Sequence, residues 1–164
     1  MFQVFTAILQ GSFSLNLLNI KSVNTEYIFK AASMLATLQW LLLIILPNSK
    51  FNRWLMAYAV VPLLLSLIYC IYIAGFFHVR GGGFGSMQQV RVLFNDDNLL
   101  LAGWVHYLAF DLLAGFAIVR SAQEHKLPHL IIIPCLILTF MFGPVGFLLY
   151  QIIKYIKMTN EKAA

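Results

Sequence analysis

The chain has 164 residues, of which 61% are hydrophobic and only 10% charged, with a formal net charge of +5. Ordinary soluble domains carry roughly 25% charged residues, so this composition excludes a water-soluble globular fold and indicates an integral membrane protein. The basic excess does not indicate a nucleic-acid partner, because Lys and Arg sit singly at the ends of apolar runs, where they anchor to headgroups.

Residues 1–26 read as an amino-terminal tail. Gln3, Gln10, Ser12, Ser14, Asn16 and Asn19 make this stretch a poor span, and no charge precedes Lys21. It has neither the basic start of a signal peptide nor the Arg-rich bias of an organelle transit peptide. An interfacial segment is expected.

A membrane domain is expected over residues 27–153. A hydrocarbon core of about 30 Å needs about 20 helical residues, and four runs qualify: Tyr27 to Pro47, Trp54 to Phe77, Leu99 to Val119 and Pro128 to Ile153. Their continuous apolarity excludes barrel strands, which are about ten residues long with alternating polarity. The expected fold is all-α, a four-transmembrane-helix bundle.

Between spans two and three, Gly81 to Gly83 and Gly85 form a turn. Ser86 and Gln89 then have capping-box spacing, and Met87, Val90, Leu93 and Phe94 recur at helical spacing. A short amphipathic helix is expected here. No Gly-Lys-Ser/Thr follows the glycines, so they do not read as a phosphate loop.

Asp97 or Asn98 can cap span three, Pro128 suits the first turn of span four, and Pro47 closes span one. Pro62, Pro134 and Pro144 fall inside spans, where each removes a backbone donor. Gly143-Pro144-Val145-Gly146 adds two glycines around one of them, a pattern that permits close helix approach or local unwinding. A basic tail occupies residues 154–164.

Four spans leave both termini on one side. That side would hold Lys21, Lys30, Arg80, Arg91, Lys154, Lys157 and Lys162, against Lys50, Arg53, Arg120 and Lys126 on the other. The inside bias of basic residues then places both termini in the cytoplasm. Cys70 and Cys135 fall within spans and lack Cys-x-x-Cys spacing, so they read as packing residues.

Chemistry concentrates in LLLAGWVHYLAFDLLAGFAIVR, Leu99 to Arg120, which carries His106 and Asp111. Translocon scales put a central Asp at about 2.5 to 3.5 kcal/mol, so such a residue faces a protein interior with partners. By helical rise, Gln39 and Thr139 lie near the level of Asp111, and with the carbonyl freed at Phe140 they could form one polar layer. Gly103, Tyr107 and Asp111 form one stripe, whereas His106 lies about 140° from Asp111 around the axis.

The bland alternative is a hydrogen-bonded cluster that only fixes helix packing. For His106 a satisfied core histidine is an equal reading, and Trp104, Tyr107, Trp40 and Trp54 more often mark the interface or packing than a cofactor box. His78 and His129 end spans on opposite sides, and Pro128 interrupts the His125/His129 spacing. No metal, haem or other cofactor is expected.

Three blocks, GGGFGSMQQVRVLF, LLAGWVHYLAFDLLAG and LPHLIIIPCLILTFMFGPVG, together resemble the abscisic-acid-deficient-four-like family, whose plant members are associated with neoxanthin synthesis. The resemblance covers roughly Tyr27 to Lys154. It implies a carotenoid or related isoprenoid ligand and a redox-neutral isomerisation, in which an epoxide opens and a neighbouring carbon loses a proton.

Such a reaction needs an acid and a base but no redox cofactor. The resemblance then makes His106 and Asp111 the catalytic candidates, with Trp104, Tyr107, Gln39 and Thr139 as substrate-binding ones. The lack of an import peptide implies a prokaryotic inner or photosynthetic membrane. A non-catalytic membrane subunit, working as a homo-oligomer or in a membrane complex, is the competing expectation.

Overall fold

The computed structural model describes residues 24–77 and 81–163; the amino-terminal tail and His78 lie outside the described residues. Among them the fold is all-α. It comprises α1 (Thr25–Ile45), α2 (Lys50–Ala57), α3 (Val60–Phe76), α4 (Met87–Phe94), α5 (Asp97–Glu124), α6 (His129–Phe142) and α7 (Pro144–Ala163).

Local chemistry sets the helix starts. Asn24 accepts from the Glu26 amide at 3.0 Å, and Ser49 accepts from the Asn52 amide at 3.1 Å. Ser86 accepts from the Gln89 amide at 3.3 Å and starts the expected amphipathic helix, α4. The reciprocal arm of that box shifts by one residue, because Gln89 Oε1 accepts from Gly85. The cap of α5 also shifts, to Asp96, whose carboxylate receives both the Asn98 and Leu99 amides.

Helix α5 has 28 residues, about 42 Å at 1.5 Å per residue, and α1, α3, α4, α6 and α7 all pack on it. Helix α1 runs parallel to it: Trp104 Nε1 donates to Ser33 Oγ at 2.9 Å near their starts, and Gln123 Nε2 donates to Asn48 Oδ1 at 3.2 Å near their ends. Gly115 lets Trp40 lie flat on α5, since a Cβ there would be 2.6 Å from the indole. Leu101, Val105, Leu108, Leu112, Ile118 and Val119 supply the buried stripe of α5.

Helices α1 and α5 are each long and apolar enough to cross a membrane, and α2 with α3 makes a third candidate, bent by 40°. The bend falls at Tyr58–Ala59, where Ala59 takes φ +47°. Pro62, with no N–H, has nothing to offer the Tyr58 carbonyl, so the helix restarts there. Met56 and Ala59 pack inward, while Phe51, Trp54 and Tyr58 remain exposed.

The expected fourth span needs correction. Residues 128–153 do not form one long helix; they form two, reversed at Gly143, whose φ of +46° and ψ of −95° suit glycine. Gly146 lies directly on the backbone of Cys135 and Thr139, and Lys157 Nζ reaches back to the His125 carbonyl oxygen at 2.7 Å. Helix α7 therefore runs antiparallel along α6. Pro144 opens α7 instead of sitting inside a span, whereas Pro134 remains inside α6.

The reversal also separates the two ends of the described chain, which the four-span expectation placed on one side. Asn24 lies beside Asp97 at the start of α5, whereas α7 ends beyond Lys157, which is fastened to the loop after α5. The two ends of the described chain are at opposite ends of the bundle. The physical reason is that α6, at 14 residues, turns back beside the middle of α5.

Candidate functional site

His106 and Asp111 occupy different surfaces of α5. Five residues of helix separate them by about 140°, and the neighbouring helices keep them apart. His106 faces α3 and α4, Asp111 the reversal between α6 and α7.

His106 is exposed to the outside of the bundle, yet it is held between rings. Its imidazole stacks on Phe110 at a centroid distance of 4.6 Å and meets Tyr69 at 5.2 Å. It borders a cavity of about 320 Å³ whose other walls include Tyr69, Phe77, Phe84, Phe94 and Gly103. Gly103 makes room for the roof, because a Cβ there would be 2.5 Å from the Phe94 ring on α4. The Ser86 cap that starts α4 thus positions one wall of this cavity. The arrangement suits an apolar chain lying against aromatic faces, with one polar group at its side.

Asp111 sits halfway along α5, and its carboxylate touches the reversal itself: a Cβ on Gly143 would lie 2.7 Å from Asp111 Oδ1. Oδ2 is buried without a hydrogen-bond partner. Tyr107, one turn earlier and half-buried, is its polar neighbour. The first turn of a helix carries unpaired N–H groups and partial positive charge, so α7 begins where a carboxylate is favoured.

The other expected residues are not gathered around Asp111. Gln39, 2% exposed, donates from Nε2 to Asn52 Oδ1 at 2.8 Å. Thr139, fully buried, donates to the Cys135 carbonyl at 2.7 Å. Trp104 bonds Ser33 and packs on Phe29 and Tyr107, at the wall of a cavity of about 520 Å³ near the amino ends of α1 and α5. His125 Nδ1 donates to the Ser121 carbonyl and His129 Nε2 to the Ile44 carbonyl, both at 2.8 Å, so the two imidazoles face different partners.

Four residues take roles that the sequence did not assign to them. Asn52, fully buried, reaches the Leu42 and Pro47 carbonyls as well as Gln39; its place in a short polar connection, NSKFNR, looks like surface. Gly143 was read as a kink rather than as the surface on which Asp111 rests. Phe84 and Phe94 lie in the loop and the amphipathic helix, and only the packing of α4 on Gly103 shows that they wall a cavity.

The model of a protein family described as ABA DEFICIENT 4-like matches residues 27–150, well over half of the chain. No curated protein matches, and no solved structure does.

Proposed function

The chain belongs to the ABA DEFICIENT 4-like family, and from that premise we propose that it is an integral membrane protein that draws a carotenoid or related isoprenoid from the bilayer into the aromatic cavity between α3, α4 and α5. The observation that carries this reading is the cavity of about 320 Å³ beside His106, with aromatic walls and, among the described residues, one imidazole. A polyene lies against Tyr69, Phe77 and Phe94, and its oxygenated ring meets the imidazole. His106 donates a hydrogen bond to that oxygen or, if an epoxide opens, gives it a proton as the C–O bond breaks, and the neutral imidazole so formed takes up the proton that leaves the neighbouring carbon.

Asp111 lies on another face of α5, so in this reading it acts as a positioning residue that holds the α6–α7 reversal. Trp104, Tyr107, Gln39 and Thr139 support the helices rather than line the ligand cavity. The separation of His106 from Asp111 also favours a second reading, a non-catalytic membrane subunit that binds isoprenoid and stabilises a partner.

The test compares isoprenoid pigments, separated by chromatography, in cells lacking the protein and in cells restored with wild type, His106→Phe or Asp111→Asn at equal membrane abundance. A pigment change rescued by wild type but not by His106→Phe supports chemistry or obligatory binding at His106. Rescue by both variants favours the subunit role. Identical pigments in every strain would refute the isoprenoid reading in that host.

A further inference from the structure

The α6–α7 reversal redistributes charge. Helix α6 covers about 21 Å at 1.5 Å per residue, short of a hydrocarbon core of about 30 Å, and it turns at Gly143 beside the midpoint of α5. Helix α7 then returns to the end from which α6 came, where Lys157 donates to the His125 and Lys126 carbonyls at 2.7 and 3.0 Å. Among the described residues Lys154 and Lys157 thereby join Lys50, Arg53, Arg120 and Lys126 at one end of the bundle, against Glu124 and Glu161. Among the described residues the opposite end carries Lys30 and Arg91 against Glu26, Asp96 and Asp97.

The same basic end holds α2, a short helix with Asn52 and Leu55 buried beneath it. Phe51 is 61% exposed and Trp54 52%, alternating with exposed Lys50 and Arg53. Aromatic rings interleaved with cations on an interfacial helix suit the boundary between acyl chains and headgroups. Clustered Lys and Arg at that level are drawn to anionic lipid, at about 1 kcal/mol per residue near the surface.

We propose that α6 and α7 form a re-entrant hairpin and that the basic end it completes, around α2, binds anionic phospholipid headgroups on the cytoplasmic leaflet. The partner is a lipid surface, recognised by charge and by the aromatic residues set among the cations. Lys157 is held by the two carbonyls and by Glu161 at 3.6 Å, which leaves Lys50, Arg53, Arg120, Lys126 and Lys154 to supply the complementarity, and the bias of basic residues toward the cytoplasm orients this end inward. Asn24 then faces the other side of the membrane.

The test uses the full-length protein in detergent, incubated with equal amounts of phosphatidylglycerol and phosphatidylcholine, with bound lipid counted by native mass spectrometry. Wild type is expected to retain about tenfold more of the anionic lipid, as follows from even one or two headgroup contacts. The K50Q/R53Q/K126Q variant should lose that preference while eluting from gel filtration as wild type does; K30Q/R91Q should keep it. Equal retention of both lipids by wild type overturns the proposal, as does loss of the preference in K30Q/R91Q alone.

The hairpin has its own readout. In cells and everted vesicles, a membrane-impermeant maleimide should label Thr159→Cys and Glu124→Cys from the cytoplasmic side and Glu26→Cys from the other, over the background of the wild-type thiols. Labelling of Thr159→Cys from the same side as Glu26→Cys overturns the re-entrant assignment.

Discussion

Replacing Gly146 with alanine separates a folded-back α7 from a continuous fourth span. A Cβ at this position would overlap the Thr139 amide nitrogen and the Cys135 carbonyl oxygen, both backbone atoms in the buried middle of α6. No rotamer change can relieve that contact, so α7 must retreat from α6 by roughly 1 Å. A gap of about 0.5 to 1 Å forfeits a quarter to a half of each contact's dispersion energy, and overpacking of this kind costs about 1 to 3 kcal/mol. A loss of about 2 kcal/mol shifts the folding equilibrium roughly 30-fold.

Reversible unfolding in mixed micelles, followed by tryptophan emission, measures this directly, because Trp40 packs against Phe140 of α6 at a centroid distance of 5.6 Å. Gly75→Ala is the matched control, since nothing lies within 4 Å of its added Cβ. It should gain up to about 1 kcal/mol from helix propensity. If Gly146→Ala instead behaves like Gly75→Ala, α7 does not pack on α6 as described and the reasoning fails.

Truncation of Asn52 to alanine leaves Gln39 Nε2 without its buried acceptor and should cost about 1 to 3 kcal/mol; a double-mutant cycle with Gln39→Leu should show clear coupling, and simple additivity would deny the bond. Gly115→Ala is expected to destabilise by about 1 to 3 kcal/mol, because Trp40, 2% exposed, cannot move away from the new methyl group; an unchanged denaturation midpoint would contradict that packing. Asp111→Asn keeps the shape of the side chain; it gives up the attraction to the start of α7 but relieves the burial of an unpartnered carboxylate oxygen, so its stability should stay within about 1 kcal/mol of wild type; a large loss of stability would mean that the carboxylate is paired. Ser86→Ala should cost about 1 kcal/mol of α4 stability and raise amide exchange across Met87–Phe94, and unaltered exchange would show that the cap is dispensable.

Hydrophobic length and capping chemistry were enough to find α1, α4 and α5, because an uninterrupted apolar run closed by Pro47, or a Ser86/Gln89 pair before Met87, has few other solutions. The mid-helix position of Asp111 was equally legible, since it follows from counting along one helix. The reversal at Gly143 was not: a 26-residue apolar run reads the same whether it crosses or turns back, and Gly143-Pro144-Val145-Gly146 signals a weak point without stating an angle. The polar layer failed for the same reason. With α6 ending at Phe142, the surface level with Asp111 is the backbone of Gly143, and Gln39 finds Asn52 instead. The cavity at His106 depends on where α4 settles, which periodicity along α4 cannot specify.

The hairpin bears on how the protein is made. A segment that leaves the bilayer by the face through which it entered never requires the following chain to be translocated, so in the proposed re-entrant topology Lys154 and Lys157 stay where the ribosome released them. In the proposed topology three crossings precede α6, and α6 with α7 can then fold against an already inserted α5. A bulky, fast-folding reporter fused behind α7 should therefore leave insertion intact, whereas the same reporter placed in the connection between α3 and α4 would have to be exported first.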